Sequence, residues 1–217
     1  FNPNVEALLV CCKQVLVSMP LENDLVQAVA ALITAMSKSS LPQRLVFIGS
    51  TASVREIYQL VTGSSSYGAC RLNEEGLSAV FKALSWLAIK SRNEQMFMEL
   101  CNYVHAIASQ LAQIQAEGGK LSSDKQKVVT NLVACLQGMC ATPSGLDKII
   151  RGLFDFTLPI VTWCAQQYAA LRVDDVTTSI LLLLRDYSEH KLMGLPQASS
   201  LVLYRASLES MKVMLAS

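Results

Sequence analysis

Charge is scarce in this sequence. Only 16% of its 217 residues are Asp, Glu, Lys or Arg, and they nearly cancel, leaving a formal net charge of +1. A chain so balanced has no global field that would draw it to nucleic acid or to an anionic membrane. The nearest approach to a basic cluster is Lys120, Lys125 and Lys127, with Asp124 in its midst, which is the make-up of a solvated helix end. Histidine is rarer still, with two residues, and neither a Cys-x-x-Cys nor a His-x-x-x-His occurs. Long apolar runs are missing too. A membrane-spanning helix needs about 18 consecutive apolar residues, and the densest run here, Ile180 to Leu184, is followed at once by Arg185 and Asp186. The first twenty residues hold Glu6 and Lys13 and lack the layout of a secretory signal.

What is abundant is apolar surface, at 52% of residues, a little above the usual share for a soluble domain. That combination suits helices buried on two sides. It also suits a piece of a longer chain, and the start at Phe1 and the stop at Ser217 inside an apolar pattern read as an excerpt. The seven cysteines stand at 11, 12, 70, 101, 135, 140 and 164. The odd count, and the placement of six of them in helical apolar patterns, suit reduced, buried thiols of a cytosolic or nuclear protein.

Proline and glycine punctuate the chain. Proline is favoured in the first helical turn, where its missing N–H would lack a partner anyway. The first helix is therefore placed at Pro3 to Ser18, and Met19-Pro20 breaks the chain. A second runs from Glu22 to Lys38 with Leu25, Ala28, Val29, Leu32, Ile33 and Met36 on one face. Pro42 opens a segment weakened at Gly49-Ser50, which makes two short helices or one bent one. Ser53 and Glu56 have the spacing of a capping box. Thr62 to Leu72 reads as a loop. Asn73 then caps a helix whose stripe is Leu77, Val80, Phe81, Leu84, Leu87 and Ala88, with Glu74 and Glu75 where the helix dipole favours anions.

A break at Ser91-Arg92-Asn93 leads to a long helix with Phe97, Leu100, Cys101, Val104, Ala108 and Leu111 on its inner face, ended by Gly118-Gly119. Ser122 or Ser123 caps the next, which carries Val128, Leu132, Val133, Leu136 and Met139. Thr142-Pro143-Ser144 starts another, in which Pro159 predicts a kink or a break with a second helix to Ala169. Asp174 caps the following helix, whose centre, Ile180 to Leu184, is apolar all round and so predicts burial on several sides. Gly194-Leu195-Pro196 ends it, and a last helix starts at Pro196.

The fold class is all-α. Paired as A and B, the A helices start at 3, 42, 93, 143 and 196, which are 39, 51, 50 and 53 residues apart. These spacings lie near or above the roughly 40–47 of HEAT and armadillo repeats. Residues 1–217 thus read as one helical-repeat segment of about four and a half antiparallel pairs, wound as a right-handed α-solenoid. A closed helical bundle is the alternative.

Side chains that could carry chemistry are few along the same chain. His105 follows Cys101 by four residues, so the two could share a helix face, but zinc needs three or four ligands and nothing nearby supplies the rest. His190 suits a helix C-terminus. Gly63 to Gly68 lacks the Gly-Lys-Ser/Thr ending of a P-loop. Asp174-Asp175 are adjacent on a helix and do not face each other. Cys11-Cys12 fall on an apolar stripe, and Trp86 and Trp163 stand too far apart to make a stacking platform for bases. No catalytic, metal or cofactor-binding residue is assigned, no partner-binding residue is known, and the chain reads as no enzyme. What is left is surface: a stack of repeats exposes long faces suited to holding another macromolecule.

Several stretches resemble the importin-β (karyopherin) superfamily, and in particular its exportin-4 and exportin-7 branch. They are Asn73 to Ala88 (NEEGLSAVFKALSWLA), Val129 to Cys140 (VTNLVACLQGMC), Leu158-Pro159-Ile160, Leu182 to Glu189 (LLLRDYSE) and Leu203 to Val213 (LYRASLESMKV). The resemblance implies a segment of a nuclear transport receptor of exportin type. Its implied partners are protein cargo, the GTPase Ran and Phe-Gly nucleoporins, with no nucleic acid and no membrane insertion. The implied location is nucleus and cytoplasm. No residue of this chain matches a known Ran, cargo or Phe-Gly contact. The alternative function is a helical-repeat scaffold or assembly subunit, such as a vesicle-coat component, unrelated to Ran.

Overall fold

A computed structural model describes residues 3–38, 41–63, 72–122, 125–141, 147–171, 173–191, 208 and 211–212. Among these residues the structure is all-α, with nine helices and no strand. They are α1 Pro3–Ser18, α2 Asn23–Ser37, α3 Pro42–Ser50, α4 Ala52–Val61, α5 Glu74–Lys90, α6 Glu94–Ala116, α7 Gln126–Cys140, α8 Asp147–Ala170 and α9 Asp174–Lys191. Of the expected helix from Pro196 only Leu208, Met211 and Lys212 are described, each helical and exposed, and the serine-rich core of the expected loop lies outside the described residues.

Local chemistry sets most of these boundaries. Asn73 caps α5 as expected: its Oδ1 accepts from the Gly76 N–H at 2.7 Å, satisfying one of the orphan donors of the first turn. The break between α3 and α4 is made by one residue. Thr51 is extended (φ −68°, ψ 149°). Its hydroxyl donates to the Ile48 carbonyl at 2.8 Å and accepts from the Val54 N–H at 3.4 Å, closing one helix and opening the next. Ser53 is therefore inside α4, and the expected capping box is not formed. The Ser53 hydroxyl instead donates to the Glu6 carboxylate, and Glu56 takes the Lys13 ammonium at 2.7 Å.

Two helices end in the same six-residue motif with different residues at its left-handed position. After α6, the Gly119 N–H bonds to the Ile114 carbonyl and the Gly118 N–H to that of Gln115, with Gly118 at φ +67°. After α5, Asn93 and Arg92 bond likewise to Ala88 and Ile89, with Arg92 at φ +56°. The Ser122–Ser123 cap is not observed. The Lys125 N–H bonds to the Ser122 backbone carbonyl, α7 begins at Gln126 with no side-chain cap, and Ser123 lies outside the described residues.

Pro159 does not split α8, which is assigned as one helix through it. Proline removes the N–H that would bond to the carbonyl of Asp155. Both residues are exposed, so water can satisfy that carbonyl and the helix continues.

The chain forms two compact units. The first holds α1 to α5 and the opening of α6 through Tyr103; the second holds the rest of α6 and α7 to α9. In the first, α1 and α2 are joined by four residues and pack together, and α2 packs most extensively on α5. Glu6 with Ser53 and Lys13 with Glu56 join α1 to α4 at separations of 47 and 43 residues. Asn23 with Glu75, at a separation of 52, and Lys38 with Trp86 join α2 to α5 at their two ends. In each pair the contacts advance along both helices together, so α1 runs parallel to α4 and α2 to α5.

In the second unit the Tyr168 hydroxyl donates to the Ser122 carbonyl at 3.2 Å, and Phe154 stacks on Tyr187 at 4.1 Å. These contacts make α8 antiparallel to both α7 and α9. Hence α7 and α9 are parallel, joined by Gln137 Nε2 donating to the Ser179 carbonyl 42 residues away.

The core follows the expected stripes of α5 and α6: Val80, Phe81, Leu84, Leu87, Phe97, Leu100, Val104 and Leu111 are fully buried. Two stripes are corrected. In α2 the buried residues are Val26, Val29, Ala30 and Ile33, while Leu25 and Ala28 are exposed. The face is turned because α5 approaches closely there, and Gly76 lies where any Cβ would stand 2.9 Å from the Val26 side chain. In α9, Ile180, Leu183 and Leu184 are buried, but Leu182 is 39% exposed. The apolar run is thus buried toward α7 and α8 and not all round.

Candidate protein-binding surface

The residues singled out for chemistry do not converge. Cys101 is buried while His105 is exposed, so they do not share a ligand face. His105 stacks on Phe156, with ring centroids 4.2 Å apart and planes 12° from parallel, and its Nδ1 lies 3.3 Å from the Ser109 hydroxyl. Cys12 is buried as expected, but Cys11 is exposed, so the adjacent pair straddles the edge of the stripe. The side chains of Asp174 and His190, and Cys70, lie outside the described residues. Lys120, Lys125 and Lys127 are exposed. Among the described residues no three His, Cys, Asp or Glu side chains are placed to hold a metal ion. No helix among them is long and apolar enough to cross a membrane.

Burial shuts off the buried thiols as nucleophiles. It pushes Cys101 and Cys164 up to about 12, and raises Cys135 well above the ordinary thiol value. A thiol reacts as its thiolate, and these remain protonated at neutral pH. Tyr58 is held the same way: it is fully buried, its hydroxyl donates to the Leu84 carbonyl at 2.5 Å, and burial followed by the Glu99 charge raises its pKa.

A seam of exposed and half-buried residues runs between α2 and α5. On α2, Asn23, Gln27, Ala31, Thr34 and Lys38 recur at helical spacing along one stripe; on α5 the same holds for Glu75, Ala79, Lys82, Trp86 and Lys90. Two contacts seal the N-terminal end. Asn23 Nδ2 donates to the Glu75 carboxylate at 2.7 Å, and Gln27 Nε2 to the Glu75 carbonyl at 3.4 Å. At the C-terminal end Trp86 is half-buried, and the Lys38 and Lys90 ammoniums stand 5.8 Å and 5.9 Å from its ring centroid, within cation–π range. Sequence reading passed over this site because its two halves lie about 50 residues apart, and only the parallel packing of α2 on α5 joins them.

No family model, no curated protein and no solved structure matches this chain.

Proposed function

We propose that this chain is a segment of a nuclear transport receptor of the exportin type, supplying protein-binding surface and elasticity and no catalysis. The observation that supports the repeat part of this reading is the like-with-like packing within each unit: α1 parallel to α4, α2 to α5 and α7 to α9, at separations of 42 to 52 residues. Helix pairs that stack as repeats place each helix beside its counterpart in the next pair, and a right-handed α-solenoid is the extended form of that stacking. The transport part is carried by the resemblance to importin-β receptors. Cargo proteins, Ran and Phe-Gly nucleoporins are the proposed partners, and nucleus and cytoplasm the proposed location.

The test is binding of Ran, locked with a non-hydrolysable GTP analogue or loaded with GDP, to the full-length protein that contains this segment. The receptor reading expects the GTP form to bind at least about tenfold tighter, a difference of about 1.4 kcal/mol. Absence of binding in both states supports instead a helical-repeat scaffold unrelated to Ran.

A further inference from the structure

The seam between α2 and α5 has a consequence for partner choice that follows from the direction of its helices. Within residues 21–38 and 72–91 all four acids, Glu22, Asp24, Glu74 and Glu75, stand at the helix N-termini. The three lysines, Lys38, Lys82 and Lys90, lie in the middle and C-terminal parts. Taken singly, each helix has the charge order its own dipole favours. Antiparallel neighbours would then have set acids beside lysines. Parallel packing sets like beside like, so the seam carries Asp24 and Glu75 at one end, Lys82 in the middle and Lys38 and Lys90 at the other.

The described residues do little to neutralise either end. Their two ion pairs, Lys13–Glu56 and Arg185–Asp186, lie elsewhere, and only Asn23 donates to one of the four carboxylates. Between the ends lie Gln27, Ala31 and Thr34 of α2 and Ala79 and Lys82 of α5, and the side chains are small at the exposed Ala31 and the half-buried Ala79. A backbone can therefore come close. Fifteen helical residues separate the ends, about 22 Å at 1.5 Å per residue.

We propose that this seam binds one helix of a partner protein, about fifteen residues long and antiparallel to α2 and α5. Its acidic N-terminus lies at Lys38, Lys90 and Trp86, and its basic C-terminus at Asp24 and Glu75, the two acids in line with the seam's stripes. Small or apolar side chains face Ala31 and Ala79. That order of charges also suits the partner helix's own dipole, so one segment satisfies both. Trp86 supplies the large, half-desolvated anchor typical of the energetic centre of an interface. The inference rests on reading this chain as a protein-binding surface and is independent of Ran.

The probe is a synthetic fifteen-residue helix with four Glu at its N-terminal end, alanine and leucine in the middle and four Lys at its C-terminal end. The control has the same composition with the charges alternating. Binding to the 217-residue chain is followed by Trp86 fluorescence in a Trp163→Phe background, and by calorimetry at low and high salt. The expected result is saturable binding of the first peptide, weakened by salt, with the alternating peptide at least about fivefold weaker. Lys38→Glu with Lys90→Glu weakens the first peptide by about tenfold or more, with the circular dichroism of the chain unchanged. Asp24→Asn with Glu75→Gln reads the acidic end independently, should the lysine variant fail to fold. No binding, equal binding of the two peptides, or indifference to the substitutions at both ends overturns the proposal. Peptide binding without Ran binding retains the seam and removes the transport reading; Ran binding without peptide binding does the reverse.

Discussion

Gly76 shows how closely a single position is specified here. It sits in the first turn of α5, where a Cβ would lie 2.9 Å from both the Asn73 Oδ1 that caps the helix and the Val26 side chain of α2. Gly76→Ala should therefore disturb the cap and wedge α2 from α5. Overpacking of this kind costs about 1–3 kcal/mol, and the better helix propensity of alanine offsets up to about 1 kcal/mol of it. Gly152→Ala in α8 is the contrast, with nothing within 4 Å of the added methyl, and should stabilise by up to about 1 kcal/mol. Urea unfolding of the two variants checks both signs. Alkaline pH probes the buried thiols. Because burial raises Cys101 and Cys164 to about 12 in the folded chain, their contribution is fully present below the unfolded value of about 8.5 and is lost as pH rises toward 12. Stability should be level up to about pH 8.5 and then fall, by up to about 1.4 kcal/mol per pH unit for each such thiol. Replacing Cys164 by Val should flatten that slope. What was legible at this scale was what lies within a few residues. Asn73 announced itself as a cap, whereas Ser53 deceived, because Thr51 two residues earlier took the cap and Glu6, far away in sequence, took the serine.

At the scale of helices, periodicity identified the inner faces of α5 and α6 almost residue for residue, since each has one dominant apolar stripe. It failed where a helix is apolar on more sides than it buries. In α9 the run Ile180 to Leu184 gives no hint that Leu182 is left outside; the positions of α7 and α8 decide that. The expected outcome is a sharp contrast. Leu184→Ala, at a site 2% exposed, should cost about 2–5 kcal/mol through lost burial and the cavity left behind. Leu182→Ala should stay within about 0.5 kcal/mol of the parent. Equal shifts of the urea midpoint would contradict this assignment of faces. α2 teaches the same lesson: Leu25 and Ala28 fit a stripe with Leu32 and Met36, but close approach to Gly76 selects the neighbouring stripe through Val26 and Ala30. Pro159 was expected to kink or break the helix; it does not split α8, and the carbonyl it orphans is that of the exposed Asp155, where a helix can tolerate it.

At the scale of the molecule, the punctuation by proline and glycine located most breaks between helices, but it set the start of the second A helix at Pro42, which is α3, whereas α1 lies parallel to α4, which begins at Ala52. It could not reveal which pairs lie side by side. The parallel packing of α2 on α5 arises from contacts about 50 residues apart, and with it the polar seam. If the chain is a stretch of stacked pairs in a transport receptor, partners on different pairs are coupled through the curvature of the stack, and the coupling is reciprocal. The measurement that tests this most directly is the affinity of a cargo protein for the full-length receptor with and without saturating Ran-GTP, titrated by calorimetry in both orders of addition. Ran-GTP is expected to change cargo affinity by a factor of about 5–150, and cargo to change Ran affinity by the same factor. Cargo affinities unaltered by Ran, with no binding of Ran itself, would contradict it.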